Sequence, residues 1–330
     1  MLINKKRLSA LDGLRVLATA GIFLFHSGFL PHGTFPVTLF FMLSGFMMYY
    51  TKYDKITMMT GVRKMGKMYP LHLITFIISI FVWHPWMNSK YTMAYLIKAG
   101  VMHLTLTQAW FPEYTYTYNG LAWYLSVTLF LYAISFPLVF LTKKVKKPIL
   151  WMILLLFIII SLDMYSKIYG GGYLYSNPFY RMLDYVLGMM IAKQFQQHEF
   201  TDSKKADKIE MGLVIIFIIQ YIMSFLVDDT PGYYSVLFSI ALYIFAIGRG
   251  RVSRILSYPV FHTLACYSFE FYMIHELVLR GFRRVFPEPE VFSKVGYIMR
   301  EIKISIPSLI ISMLYAWVYK NCLESRMRLN

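Results

Sequence analysis

Three ionisable residues stand in an otherwise largely apolar run near the start of the chain, Leu11-Asp-Gly-Leu-Arg-Val-Leu-Ala-Thr-Ala-Gly-Ile-Phe-Leu-Phe-His26. Asp12 can pair with a cation, Arg15 can hold an anion, and the His26 imidazole can move a proton near neutral pH. Read as a helix, the step from Arg15 to His26 amounts to about 1100°, within about 20° of whole turns, so the two side chains share a face. They stand roughly 17 Å apart along the axis, about half a hydrocarbon core. Asp12, three residues before Arg15, is close enough to pair with it. An arginine near a helix end is also explained by snorkelling to headgroups, whereas a histidine inside a membrane helix points to function.

Further ionisable groups recur in apolar surroundings. Arg181 and Asp184 are three apart and can neutralise each other, as a structural pair or as part of a site. Asp163 falls near a helix end, where water is available. His72 follows Pro70 at an expected helix start and reads as a headgroup residue. Glu270, His275 and Glu276 share one helix; Glu270 and His275 diverge by about 140° and do not form a facing pair. His275 and Tyr272, three apart, can line a cavity together. The run Arg63-Lys-Met-Gly-Lys-Met-Tyr-Pro70 either sets orientation at the membrane or clamps the phosphates of a soluble anionic cofactor.

The elements that must position these residues are membrane helices. The 330 residues are 58% hydrophobic and 18% aromatic, and only 15% are charged, against about a quarter in soluble domains. The expected fold is all-α, a polytopic transmembrane bundle of about ten spans in a single domain over 1–330. The spans are placed near 11–30, 34–51, 69–87, 120–142, 149–166, 179–198, 210–227, 233–249, 258–280 and 298–320. Tyr91–Phe111 is expected to be an interfacial or re-entrant segment, because counting it as a span would move the Lys143–Lys147 cluster outside. Cytoplasmic N- and C-termini leave basic residues in inside loops at 52–68, 143–148, 199–209 and 249–254. The net charge of +16 is thus spread over short loops, which argues against nucleic acid as the partner. Arg280, Arg283, Arg284 and Lys294, partly offset by Glu288 and Glu290, are expected in an outer loop, where they could attract an anionic acceptor. Gly170-Gly-Gly172 marks another outer loop. Lys5, Lys6 and Arg7 precede a retained helix rather than a cleaved signal. Cys266 and Cys322 have neither disulfide nor zinc spacing, and no dinucleotide, Walker or metal signature is present.

Six motifs, in order, resemble the membrane acyltransferase-3 family: Arg15 with His26 as an Arg-x10-His signature; Phe40-Phe-Met-Leu-Ser-Gly-Phe46; Arg63-Lys-x-x-Lys-Met-Tyr-Pro70; Trp123-Tyr-Leu-Ser126; Arg181-x-x-Asp-Tyr-Val-Leu-Gly188; and Ser268-Phe-Glu-Phe-Tyr-Met-Ile-His275. The resemblance covers about residues 8–320. It departs from the family pattern at Thr128, where glutamate is frequent, at Lys67, where arginine is frequent, and at Glu270, where a small residue is common.

The resemblance implies a multi-pass cell-membrane enzyme that moves an acyl group, commonly acetyl, from cytoplasmic acyl-CoA to a hydroxyl of a surface polysaccharide or its lipid-linked precursor, without a metal. Some relatives carry a fused esterase-like domain; this chain is expected to act without one or to hand acyl groups to a partner. His26 fits the general base. Arg15, Arg63, Lys64 and Lys67 fit the donor clamp; Asn119, Trp123, Arg181 and His275 are candidates for acceptor binding or oxyanion stabilisation. Asp12 and Asp184 are expected to be structural. Ser44 reads as a packing residue rather than a nucleophile. The competing class is a transporter or exporter of a polysaccharide or small metabolite, against which stands the lack of an internal repeat.

Overall fold

The computed structural model describes residues 7–31, 34–170, 174–197, 203–223, 231–287 and 293–324, and among them every regular element is helical. The helices are α1 (Ser9–His26), α2 (Thr34–Lys52), α3 (Met58–Lys90), α4 (Met93–Thr105), α5 (Trp123–Ala133), α6 (Ser135–Lys144), α7 (Pro148–Tyr169), α8 (Pro178–Gln197), α9 (Ser203–Met223), α10 (Pro231–Ile247), α11 (Arg251–Leu256), α12 (Pro259–Val285) and α13 (Lys294–Val318). Short 3-10 turns at Gln108–Trp110, Gly120–Ala122 and Leu174–Ser176 complete the connections.

Each of the ten expected segments overlaps a helix, with 198 and 224–227 outside the described residues, but among the described residues only three or four helices pass as spans by length and composition. Met58–Trp83, Pro148–Tyr169 and Val295–Cys322 are long and apolar enough to cross a bilayer; Gly120–Ala133 with Ser135–Lys144, bent by 57°, adds a fourth if the pair is one span. The shortfall has a physical cause. Helices α8 and α12 carry ionisable side chains along their length, Arg181, Asp184 and Lys193 on one and Glu270, Glu276, Arg280, Arg283 and Arg284 on the other, which lowers their mean hydropathy although several of these groups are buried and paired. In contrast α7 exposes Ile149, Leu150, Trp151, Ile153, Leu154 and Phe157, as contact with lipid tails requires. Helix α4 has 13 residues and reaches only about 20 Å, short of a hydrocarbon core.

Several boundaries differ from expectation. The segment expected as loop 52–68 is mostly helix, because α3 begins at Met58 and runs through Pro70. Proline forfeits one hydrogen bond and crowds the carbonyl four residues earlier. That residue is Gly66, beside which a Cβ would meet nothing within 4 Å, so the backbone has room to adjust. At the other end of the chain, Arg280, Arg283 and Arg284 lie on α12 rather than in a loop. Lys204, Lys205 and Lys208 likewise lie on α9, Arg251 and Arg254 on α11, and Lys294 starts α13. Glu288, Glu290, Gly171 and Gly172 fall outside the described residues; Gly170 ends α7 in a left-handed conformation.

The break between α5 and α6 follows from Pro137, whose ring would crowd the carbonyl of Ala133. Ser135 reinforces the bend by donating its hydroxyl to Leu131 O at 2.7 Å, and it lies 2.9 Å from Tyr185 Oη.

The chain groups into two compact units, Met1–Ala18, Pro31–Arg63 and Phe130–Ala265 in the first, Thr19–Leu30, Lys64–Leu129 and Cys266–Asn330 in the second. In the first unit α2 and α8 meet backbone to backbone. A Cβ on Gly45 would overlap the carbonyl of Tyr185, and one on Gly188 would overlap that of Met42. Small residues permit such an approach, and close packing replaces the hydrophobic effect as the driving force in lipid. Phe41, Met42, Phe46, Tyr185 and Ile159 fill this core. In the second unit Phe23, Phe271, Leu279, Ile304 and Ala316 pack together, with Tyr267, Phe282 and Met313 against them.

Candidate active site

His26 is the last residue of α1. The chain turns immediately after it, with Ser27 N donating to Phe23 O and Gly28 N to Phe25 O, both at 2.9 Å. Gly28 has φ +77°, and Tyr297 Oη occupies the space a side chain would need. A residue with a Cβ is therefore opposed both by conformation and by α13. The guanidinium of Arg283 donates to His26 O at 2.7 Å and to Glu301 Oε2 at 2.9 Å. Arg300 donates to Glu301 Oε1 at 2.8 Å. The end of α1 is thus fixed by a buried carboxylate held between two arginines.

The His26 ring faces α12. Its Nδ1 lies 3.9 Å from Glu276 Oε1, and its centroid lies 5.3 Å from that of His275. The first distance exceeds a hydrogen bond, but unliganded sites commonly hold such pairs long and tighten them on binding. His275 is buried, its ring stacked on Phe271 at 5.4 Å. Its Nδ1 lies 2.9 Å from Tyr272 O and 3.2 Å from Phe271 O. Carbonyls only accept, so Nδ1 carries the hydrogen and Nε2 keeps its lone pair. That Nε2 is enclosed without a hydrogen-bond partner.

Glu276 takes its cation from Arg280, one helical turn on. Arg280 in turn lies over the face of Trp83 at 4.0 Å, a cation–π contact that fixes its plane. The 3-10 turn at Gly120 backs this pair: a Cβ there would sit 3.6 Å from Arg280 Nη2 and 3.7 Å from Glu276 Oε2. Beside the cluster is a cavity of about 230 Å³ lined by Val82, Trp83, Arg280, Arg283 and Arg284.

Of the residues singled out in the sequence, His26 and His275 are brought together. Asn119 is buried and occupied by structure: its Nδ2 donates to Met273 O at 3.0 Å, and its Oδ1 accepts from Leu121 N at 3.2 Å. Trp123 is buried at the start of α5. Arg181 and Asp184 form a buried pair at 2.8 Å in the first unit. Arg181 also donates to Tyr175 O and Thr38 Oγ1 and lies between the rings of Tyr175 and Tyr180, at 4.9 and 5.1 Å. Asp12 is engaged by Arg7 at 2.8 Å and His262 at 3.3 Å. Arg15 is half-buried on α1; Arg63 and Lys67 are exposed and Lys64 half-buried on the first turns of α3.

Other polar residues depart from their expected surroundings. His72 is buried rather than at headgroups, and its Nε2–H donates to His103 O at 2.8 Å. Asp163 is buried and accepts from Tyr180 Oη at 2.7 and 2.8 Å. Glu270 pairs with Lys320 at 3.1 Å. Thr128 donates to Tyr124 O at 2.7 Å, a closed local contact on a helix. Cys266 and Cys322 form no disulfide, and no metal-binding cluster occurs among the described residues.

Glu276 and Glu301 carry no assigned role in the sequence reading, and Arg280 and Arg283 enter it only as loop cations that attract an anionic acceptor. The spacing of Glu276 to Arg280 was a readable signal. Their meeting with His26, some 250 positions away in the chain, was not.

The described residues are helical, several helices are apolar and of membrane length, and an imidazole stands 3.9 Å from a carboxylate, features that fit a membrane protein. The acyltransferase-3 family model, described as an acyltransferase domain, matches residues 8–317. The chain belongs to this family of membrane acyltransferases. It is also similar to the acyltransferase MdmB of Streptomyces mycarofaciens, with 32% identity over 165 residues, covering 44% of this chain and 42% of the relative. The alignment therefore spans less than half of the curated relative's length. No solved structure matches the chain significantly.

Proposed function

We propose that the protein transfers an acyl group, most simply acetyl, from acyl-CoA to a hydroxyl of a surface polysaccharide or its lipid-linked precursor, with His26 as general base. The observation that carries this reading is the approach of His26 Nδ1 to Glu276, 3.9 Å, at the end of a helix whose register is pinned by Arg283. A carboxylate at Nδ1 favours the tautomer with hydrogen there, leaving Nε2 to take the hydroxyl proton. The freed oxygen attacks the thioester carbonyl carbon and forms a tetrahedral oxyanion. Collapse breaks the carbon–sulfur bond, and the imidazolium returns its proton to the departing CoA thiolate. Glu276 stabilises the imidazolium between these steps.

Arg15, Arg63, Lys64 and Lys67 supply the positive charge for the phosphates of the donor, from the cytoplasmic side, if both termini face the cytoplasm and the chain crosses the membrane about ten times. Asn119, Trp123 and Arg181 are better described as supports than as substrate contacts, since each is buried; His275 borders the base. Purified protein in liposomes, given labelled acetyl-CoA and candidate glycans, tests the reading. Thioester consumption with label in the glycan supports it. Glycan flux without thioester consumption supports the transporter class instead.

A further inference from the structure

The cavity beside His26 is unusually basic. Arg280, Arg283 and Arg284 line it together with Trp83 and Val82. The ion pairs around it are Arg280 with Glu276, and Arg283 and Arg300 with Glu301. Two carboxylates thus face four guanidiniums, with Arg284 exposed and in no ion pair among the described residues. Arg280 Nη1 is buried with no acceptor, although buried polar groups are normally satisfied. Its plane is nevertheless fixed by Trp83 on one side and Glu276 on the other. A preoriented guanidinium with an unused N–H, next to a second with no counter-ion among the described residues, is an arrangement suited to an oxyanion.

We propose that this cavity binds a carboxylate or phosphate oxyanion carried by the acceptor, so that the preferred acceptor is an acidic or phosphorylated glycan rather than a neutral one. The proposal rests on the acyl-transfer reading for the word acceptor, but the anion site itself stands on geometry. At about 230 Å³ the cavity takes one charged sugar unit, not a polymer. An anion seated on Arg280 and Arg284 would lie next to the residues that fix His26, Glu276 through Arg280 and the α1 terminus through Arg283, bringing a hydroxyl of the same sugar near the base.

Calorimetry on the purified full-length protein, with inorganic phosphate, D-glucuronate and D-glucose as probes at constant ionic strength, separates the site from general basicity. The expected result is saturable, one-to-one binding of phosphate or glucuronate and none of glucose. Arg284→Gln and Arg280→Lys should each weaken binding at least tenfold, and Lys146→Gln, an exposed lysine elsewhere, should not. Absence of saturable anion binding, equal binding of glucose, or equal weakening by Lys146→Gln overturns the proposal. In the transfer assay the Arg284→Gln effect should fall on the KM of an acidic acceptor; an effect on the KM of acyl-CoA would assign the site to the donor's phosphates and overturn it. If anion binding is present and sensitive to Arg284 while no thioester is consumed, the acyl-transfer reading fails and the anion site stands.

Discussion

At the scale of single residues, the imidazole–carboxylate approach and the buried arginine pair make different demands. Glu276→Gln keeps the volume but removes the charge that stabilises protonated His26, and it also releases Arg280. Steady-state kinetics should show kcat falling by about 10²-fold, the low end for a group that assists a general base, with a smaller change in acyl-CoA KM. An unchanged kcat would remove Glu276 from the chemistry. Asp184 answers to stability instead. It and Arg181 are almost wholly buried, and Asp184→Asn leaves the guanidinium without its counter-charge. Breaking such a pair costs about 3–5 kcal/mol, so thermal unfolding in detergent should drop markedly, and by more than for Glu276→Gln, whose partner Arg280 keeps some contact with solvent. The sequence disclosed the residues of both pairs but not their difference. Arg181 and Asp184 were visible as neighbours on one helix, whereas His26 and Glu276 meet only through tertiary packing.

At the scale of elements, two sequence motifs turn out to be one contact. Gly45 in Phe40–Phe46 and Gly188 in Arg181–Gly188 each lie against a carbonyl of the other helix, those of Tyr185 and Met42. Either glycine changed to valine forces α2 and α8 apart, since a backbone carbonyl cannot rotate away as a side chain can. Overpacking of this kind costs about 1–3 kcal/mol or more, and Gly188→Val should show it as a lower unfolding temperature and poor recovery from membranes. Normal stability would mean that the helices do not cross there. The same logic explains which boundaries could be read in advance. Apolar runs point to the helices, whereas the break between α5 and α6 falls inside 120–142, expected as one span, and Pro137 explains it only once the bend is seen. The extension of α12 through Arg280, Arg283 and Arg284 was hidden, because their charges argue for loop until Glu276 and Glu301 are seen beside them. The early start of α3 was hidden by Pro70, which reads as a helix beginning unless Gly66 is recognised as its relief.

At the scale of the whole molecule, the basic clusters bear on orientation in the membrane. Lys143, Lys144, Lys146 and Lys147 surround the turn from α6 to α7, and Lys193 anchors that turn by donating to Thr142 O and Lys143 O, each at 2.7 Å. On the positive-inside rule this turn is predicted to face the cytoplasm. A cysteine placed at Lys146, in a chain with Cys266 and Cys322 replaced, should react with an impermeant maleimide only in inverted vesicles. Reaction in right-side-out cells would reverse the proposed orientation and put the donor clamp on the wrong side.

Turnover by His26→Ala is the measurement nearest to the account. In proteoliposomes supplied with labelled acetyl-CoA and an accepted glycan, transfer should fall by at least about 10²-fold, the minimum for loss of a general base, while the variant elutes and unfolds as the unaltered protein does. Transfer at the original rate by that well-folded variant would contradict it.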